Sequence, residues 1–250
     1  MNAGRRPALV RMKRDGAISG NNLSNLQSMS GLPSRETVRI PVGPVTLAGE
    51  LDIPSGAHGL VLFAHGSGSS RHSPRNQFVA RVLRDSGSGT LLFDLLTQGE
   101  DAEDARSGDL RFNIAFLSER LVAATRWCLS HPAVRARALA LGYFGSSTGG
   151  AAALAAAASQ GAIIRSVVSR GGRPDLATDA LLQVQAATLL IVGERDEVVL
   201  GLNEQALARL KGEKTLVVVP GATHLFEEPG ALERVAELAA GWFQRHWDRS

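Results

Sequence analysis

The sequence contains a single cysteine, Cys128, among its 250 residues. An intrachain disulfide and a cysteine-based metal cluster are therefore excluded, and Cys128, which lies in a helical pattern, is expected to be a buried structural thiol. No segment approaches the ~20 apolar residues that a membrane-spanning helix needs. Arg11, Lys13 and Arg14 also interrupt the N-terminus where a secretory signal would require an apolar core. We therefore predict a cytoplasmic protein with no membrane partner.

Patterns for metal and cofactor binding are also missing. None of the six histidines forms an H-x-x-x-H pair. The Gly/Ser-rich segment 65–70 lacks both a Walker lysine and the G-x-G-x-x-G spacing of a phosphate-binding loop. No metal and no organic cofactor are expected.

The positive charge is concentrated at the N-terminus. The chain has a net charge of +3 and a pI of about 9.6, yet residues 1–34 carry five basic side chains against one acid. Residues 35–250 therefore have a net charge of −1. This body has no cationic bias towards nucleic acid. We predict a basic, flexible extension over 1–34, one folded domain over 35–250 and no nucleic-acid partner.

Strand and helix patterns alternate through this domain. Strands are predicted at 37–42, 45–53, 59–64, 90–93, 138–144, 163–169, 188–192 and 215–219. Helices are predicted at 77–84, 114–130, 150–158, 205–210 and 231–246, with Ser73 and Pro74 at the start of the first. Segment 98–109 is polar and acidic, and is predicted to be a loop. Alternation of this kind predicts a doubly wound, mostly parallel sheet flanked by helices.

The pentapeptide Gly145-Ser146-Ser147-Thr148-Gly149 lies between an apolar strand and an alanine-rich helix. G-x-S-x-G in this context is the pattern of a nucleophile elbow, a turn tight enough to need glycines on both sides. It predicts that the Ser147 hydroxyl is held above the sheet at the start of a helix, where an oxyanion can be stabilised.

A serine nucleophile needs a base, and the base needs an orienting carboxylate. In a hydrolase of this architecture the chain order is serine, acid, histidine, each beyond a strand end. The strand at 188–192 leads into Gly193-Glu194-Arg195-Asp196-Glu197, and the strand at 215–219 leads into a loop with His224. We predict Asp196 as the acid, with Glu194 and Glu197 facing solvent, and His224 as the base.

Two backbone N–H groups are expected to form the oxyanion hole. Thr148, directly after the nucleophile, supplies one. The loop after the strand at 59–64 reads His65-Gly66-Ser67-Gly68, and its small residues allow a close approach to a substrate carbonyl. Ser67 is predicted to be the second donor.

Two arginines follow this loop. Arg71 and Arg75 are candidates to clamp an anionic group of the substrate, since the guanidinium fork matches a carboxylate. The alternative is that they pair with acids such as Asp94 or those of segment 98–109.

From about residue 36 to its end the chain resembles α/β-hydrolase-fold serine hydrolases, in particular the dienelactone-hydrolase-like branch. The segments that carry the resemblance are HGSGSS at 65–70, GSSTG at 145–149, GERDEVV at 193–199 and GATHLF at 221–226. The resemblance implies Ser147, Asp196 and His224 as the catalytic triad, with Ser67 and Thr148 as oxyanion donors. Dienelactone hydrolases proper have a cysteine at the nucleophile position. The serine here favours ordinary ester cleavage.

Only residues 171–186 separate the strand after the elbow helix from the acid-bearing strand, so a large lid is not expected. We predict an open site and a carboxylesterase acting on small soluble esters through an acyl-enzyme. An acyltransferase or a C–C hydrolase would use the same triad, and a non-catalytic binding protein that retains the fold is an alternative of another class.

Overall fold

A computed structural model describes residues 34–247 of the chain. Its strands are β1 (Ser34–Val42), β2 (Val45–Ile53), β3 (Gly59–Ala64), β4 (Ser88–Phe93), β5 (Ala140–Ser146), β6 (Ile164–Arg170), β7 (Ala187–Gly193) and β8 (Lys214–Val219). Its α-helices are α1 (Pro74–Asp85), α2 (Gln98–Ser107), α3 (Ile114–Ser130), α4 (Pro132–Ala136), α5 (Thr148–Gln160), α6 (Glu197–Arg209) and α7 (Ala231–Trp247). None of the helices in this part of the chain is long and apolar enough to cross a membrane.

The eight strands form one sheet in the order β1-β2-β4-β3-β5-β6-β7-β8. β2 pairs antiparallel with β1 and with β4, and every pair from β4 to β8 is parallel. The predicted doubly wound, mostly parallel sheet is confirmed. Parallel order also brings the loops after β3, β5, β6, β7 and β8 to the same edge of the sheet, where ligands bind in such folds.

The sheet is covered on both faces, so most central strands are buried along their whole length. One core contains the apolar sides of α3, α5 and α6, including the fully buried Cys128, as expected. The other core contains α1 and α7. α5 is almost entirely buried because its alanines and glycines let it lie close to the sheet.

Segment 98–109 was predicted to be a loop, and this prediction is wrong. Residues Gln98–Ser107 form helix α2, which begins with a complete capping box between Thr97 and Glu100. The acids do not all face water, because Asp104 is buried and pairs with Arg111. Two of the five acids are paired within the fold, Asp104 with Arg111 and Glu100 with Arg120, and the other three are exposed.

The interval between β6 and β7 contains only 3₁₀ turns over Pro174–Gln183, so no large lid is present among the described residues. The predicted N-terminal extension lies outside the described residues up to position 33. Ser34, which the prediction included in this extension, is the first residue of β1 and pairs with Ile53 of β2.

Candidate active site

Ser147 lies in the turn between β5 and α5, with φ 51° and ψ −121°. Few non-glycine residues adopt this region, and such strain concentrates at functional sites. A Cβ on Gly145 would come within 2.5 Å of the Gly149 carbonyl oxygen, and one on Gly149 within 2.1 Å of the Ala64 carbonyl oxygen. Both glycines of the pentapeptide are thus required by close backbone contacts, and the turn has the geometry of a nucleophile elbow.

His224 and Asp196 meet across two loops. The Nδ1 atom of His224 lies 2.6 Å from Oδ2 of Asp196, and the two side chains are 38% and 14% exposed. Asp196 is the N-cap residue of α6, but its carboxylate makes no capping hydrogen bond. The carboxylate therefore orients the imidazole instead of satisfying the helix end.

The two neighbouring carboxylates, Glu194 and Glu197, lie in different surroundings. Glu194 accepts a hydrogen bond of 2.7 Å from the backbone N–H of Gly221, and Glu197 is exposed. The loops after β7 and β8 are in such close contact that a Cβ on Gly193 would lie 2.4 Å from the Ala222 carbonyl oxygen. This packing determines which acid faces His224.

The end of β6 also belongs to this region, and the sequence analysis did not single it out. The backbone N–H of Ser147 donates to the carbonyl oxygen of Arg170 over 3.2 Å. Gly171, at φ 51°, lies against His224, because a Cβ there would be 3.4 Å from Nδ1 of the imidazole. The sheet order could have indicated these residues, because β6 lies beside β5 and the residues after β6 therefore lie next to the Ser147 turn.

The loop after β3 contacts the elbow directly. A Cβ on Gly66 would lie 3.2 Å from Cβ of Ser147, so any larger residue there would have to displace the elbow slightly. The backbone N–H of Ser67 donates to the Thr148 side-chain hydroxyl over 3.0 Å. The structure therefore brings Ser67 and Thr148 together, but the Ser67 amide already has an acceptor.

His65 holds this loop in place. Its Nε2 accepts the backbone N–H of Leu95 over 3.0 Å, and its Nδ1 lies 3.0 Å from the Gly66 carbonyl oxygen. Nδ1 therefore carries the proton and donates to Gly66. Burial lowers the pKa of His65, so the imidazole is neutral in the folded protein.

This lowered pKa makes stability depend on pH. As the pH falls below about 6.5, His65 takes up a proton in the unfolded chain before it does so in the folded one, so the free energy of unfolding decreases. In His65→Gln the side-chain carbonyl can still accept from Leu95, but nothing titrates. We expect the Tm of His65→Gln to fall less than that of wild type between pH 7.5 and 5. Parallel Tm curves would contradict the assignment of a neutral His65.

The two arginines proposed as an anion clamp have acidic partners. The backbone N–H of Arg71 donates to Asp94 over 2.8 Å, and its guanidinium forms an ion pair with the same carboxylate. Nη1 of Arg75 lies 3.1 Å from Oε1 of Glu227. For Arg71 the structure favours the alternative that the sequence analysis left open, a structural ion pair. For Arg75 the ion pair involves one nitrogen of the guanidinium group, Nη1.

An open cleft of about 580 Å³ lies on the β4 side of the loop after β3. Its lining includes His65, Ser69, Arg71, Asp94 and Asp101. Most of its lining is polar, and it includes none of Ser147, Asp196 and His224.

The sheet order, the elbow after β5 and the acid and histidine after β7 and β8 define an α/β hydrolase. Among solved structures, a dienelactone hydrolase from Anabaena variabilis is 56% identical, with a TM-score of 0.83 over 86% of this chain and 98% of that one. An esterase domain from a Rhodothermus marinus protein is 21% identical, with a TM-score of 0.67 over 86% and 99% of the two chains. The chain belongs to the dienelactone hydrolase family.

Two curated proteins of Mycobacterium tuberculosis strains are 55% identical over 211 residues, which is 84% of this chain and 46% of theirs. Each is named "Putative phosphoribosyl transferase". The chain thus spans about half the length of these relatives. No family model matches the sequence.

Proposed function

We propose that this protein is a serine hydrolase that cleaves small carboxylic esters through an acyl-enzyme. The observation that carries the proposal is the 2.6 Å contact between Asp196 and His224, in the loops after β7 and β8, at the same edge of the sheet as the Ser147 turn. The family relationship to a dienelactone hydrolase supports hydrolysis. The phosphoribosyl transferase name is given to proteins of which this chain matches less than half. The name therefore describes a longer protein, and this chain corresponds to one part of it.

In the proposed first step, Asp196 accepts a hydrogen bond from the Nδ1–H group of His224, so that the proton stays on Nδ1 and Nε2 keeps its lone pair. His224 Nε2 takes the proton of the Ser147 hydroxyl as Oγ attacks the ester carbonyl carbon. The tetrahedral intermediate collapses, the alcohol leaves with a proton from His224, and an acyl-serine remains. Water then attacks the acyl group with His224 again as the base, and the acid is released.

We further propose that the oxyanion receives hydrogen bonds from the Thr148 amide and from the Thr148 hydroxyl. The hydroxyl oxygen accepts from the Ser67 amide, so its own hydrogen is free to donate to a developing negative charge. Ser67, predicted as a direct donor, would then act through Thr148.

Replacing Thr148 with valine tests this arrangement, because valine has the same shape but no hydroxyl. We expect kcat to fall about 10- to 100-fold, the usual cost of a hydrogen bond to a charged group, with little change in KM. Thr148→Ser keeps the hydroxyl and is expected to stay near wild type. If kcat of Thr148→Val is unchanged or higher, the Ser67 amide serves the oxyanion directly.

The function itself is tested by turnover of p-nitrophenyl acetate, butyrate and octanoate. The absence of a large lid among the described residues favours the two shorter esters. A folded protein that turns over none of the three would contradict ester hydrolysis at this site.

A further inference from the structure

Arg170, the last residue of β6, is a buried cation that has no counter-ion among the described residues. It is 8% exposed, and its Nε and Nη1 atoms have no hydrogen-bond partner among the described residues. Arg173, three residues later, has the partner that Arg170 lacks: its Nε and Nη2 bind the Asp175 carboxylate over 2.9 and 2.8 Å. Of these two arginines in the same segment, Arg173 therefore has an acidic partner and Arg170 does not.

The environment of Arg170 disfavours its charge. Burial lowers its pKa to about 10, and the positive charge of Arg75 acts in the same direction. Arg170 still carries its charge at neutral pH, at a cost in stability, because a buried charge needs a paired opposite charge or several hydrogen bonds. A bound anion would supply both.

Arg75, in the first turn of α1, lies close to the same loop, because it contacts Glu227, the residue after Phe226. Its Nε is also buried and has no hydrogen-bond partner among the described residues. Its ion pair with Glu227 is weak, because the Glu227 side chain is 65% exposed. The first turn of α1 contains no acid, and the N-terminal end of a helix favours negative charge. Two guanidinium groups and a helix end therefore present the same sign of charge.

This place adjoins the candidate active site. The Arg170 carbonyl oxygen accepts the Ser147 N–H, and the next residue, Gly171, lies against His224. The Arg170 guanidinium carbon is 5.8 Å from the centre of the Phe226 ring, two residues after His224. The backbone of Arg170 thus contacts the Ser147 turn, and its guanidinium group lies against the loop that contains His224.

We propose that Arg170 and Arg75 form a binding site for an oxyanion group, a carboxylate or a phosphate, beside Ser147. Planar guanidinium forks match such groups with two parallel hydrogen bonds. The anion is either part of the substrate, so that the enzyme selects esters with a second, negatively charged group, or a free inorganic ion. The first source rests on the proposed ester hydrolysis, and the second does not.

Inorganic phosphate tests the site without reference to activity. We expect phosphate to raise the Tm of wild type saturably and to bind Arg170→Met at least tenfold more weakly. Without phosphate, Arg170→Met is expected to fold with a Tm at or above that of wild type, because an uncompensated charge is removed. Arg170→Lys keeps the charge but loses the fork, and is expected to bind phosphate with intermediate affinity. Arg165→Met, at the exposed start of the same strand, is the matched control and should bind phosphate as wild type does.

The source of the anion is distinguished with two esters of nearly equal shape, monomethyl succinate and methyl levulinate. Only the first has a carboxylate where the second has a methyl ketone. If the anion belongs to the substrate, we expect wild type to prefer monomethyl succinate by about tenfold or more in kcat/KM. In Arg170→Met the ratio of kcat/KM for monomethyl succinate to that for methyl levulinate should fall to about one, and in wild type phosphate should compete with the charged ester.

The phosphate-binding and ester-preference results together decide whether the site exists and which anion it binds. Arg170-dependent phosphate binding without a preference for the charged ester assigns the site to a free anion. If Arg170→Met and Arg165→Met bind phosphate equally and neither changes the ester preference, the proposal is overturned. Turnover of methyl levulinate by wild type reads the hydrolase function separately, so a failure of that function is not mistaken for a failure of the anion site.

Discussion

Ser147→Ala is expected to lower kcat on short-chain p-nitrophenyl esters by about 10⁵- to 10⁶-fold, the loss typical of removing a serine nucleophile. Without Oγ no acyl-enzyme forms, and the remaining rate comes from the oxyanion donors acting on bound ester and water. The backbone need not change, because alanine meets the same φ of 51° that serine already adopts. Initial rates at saturating ester, together with the Tm, separate the loss of the nucleophile from a loss of folding.

Ser159→Ala is the matched control for this variant. Ser159 lies near the end of α5, and its hydroxyl donates to the Ala156 carbonyl oxygen within the same helix. Its kcat should stay within twofold of wild type. Comparable rates for Ser147→Ala and wild type would show that the nucleophile is a different residue, although the elbow geometry would stand.

Asp196→Asn is expected to lower kcat by about 10⁴-fold with little change in KM. The asparagine amide would donate to Nδ1 of His224, so the imidazole would carry its proton on Nε2 and lose the lone pair that accepts from Ser147. The side chains are nearly equal in size, and the Asp196 carboxylate makes no capping hydrogen bond, so stability should change little. We expect kcat of Asp196→Asn to stay low at every pH measured, so that no pH restores wild-type turnover.

Glu197→Gln is the matched control, because it neutralises the next carboxylate along the chain, which is exposed. It should retain full activity. If Glu197→Gln or Glu194→Gln reduces kcat as strongly as Asp196→Asn does, the orienting acid is misassigned.

Local sequence patterns predicted most of the architecture. The bounds of β2 and β3 agree at both ends with the structure, as does the long helix α3. β2 alternates between buried and more exposed residues, β3 is an uninterrupted apolar run, and α3 has a regular helical period. The elbow was recognisable because its glycines are needed by contacts between near neighbours in the chain and one adjacent strand end.

Helix α2 shows where composition misled the prediction. The Thr97-x-x-Glu100 signal of a capping box was present in the sequence, but five acids in segment 98–109 outweighed it. Arg111 and Arg120 neutralise Asp104 and Glu100 in the folded chain. Partners 7 and 20 residues away are not visible in a local window of sequence.

The sequence by itself determined the order of the strands and of the helices other than α2 and α4, the position of Ser147 in a strained turn, and the two late loops that contain an acid and a histidine. These features depend on spacing and on the small side chains that a tight backbone turn permits. The tertiary structure decided which carboxylate faces His224, that Arg71 is neutralised by Asp94, and that Arg170 is buried with no counter-ion among the described residues. Such choices depend on distances between loops that are remote in the chain, and only the packing of the sheet and its helices brings those loops together.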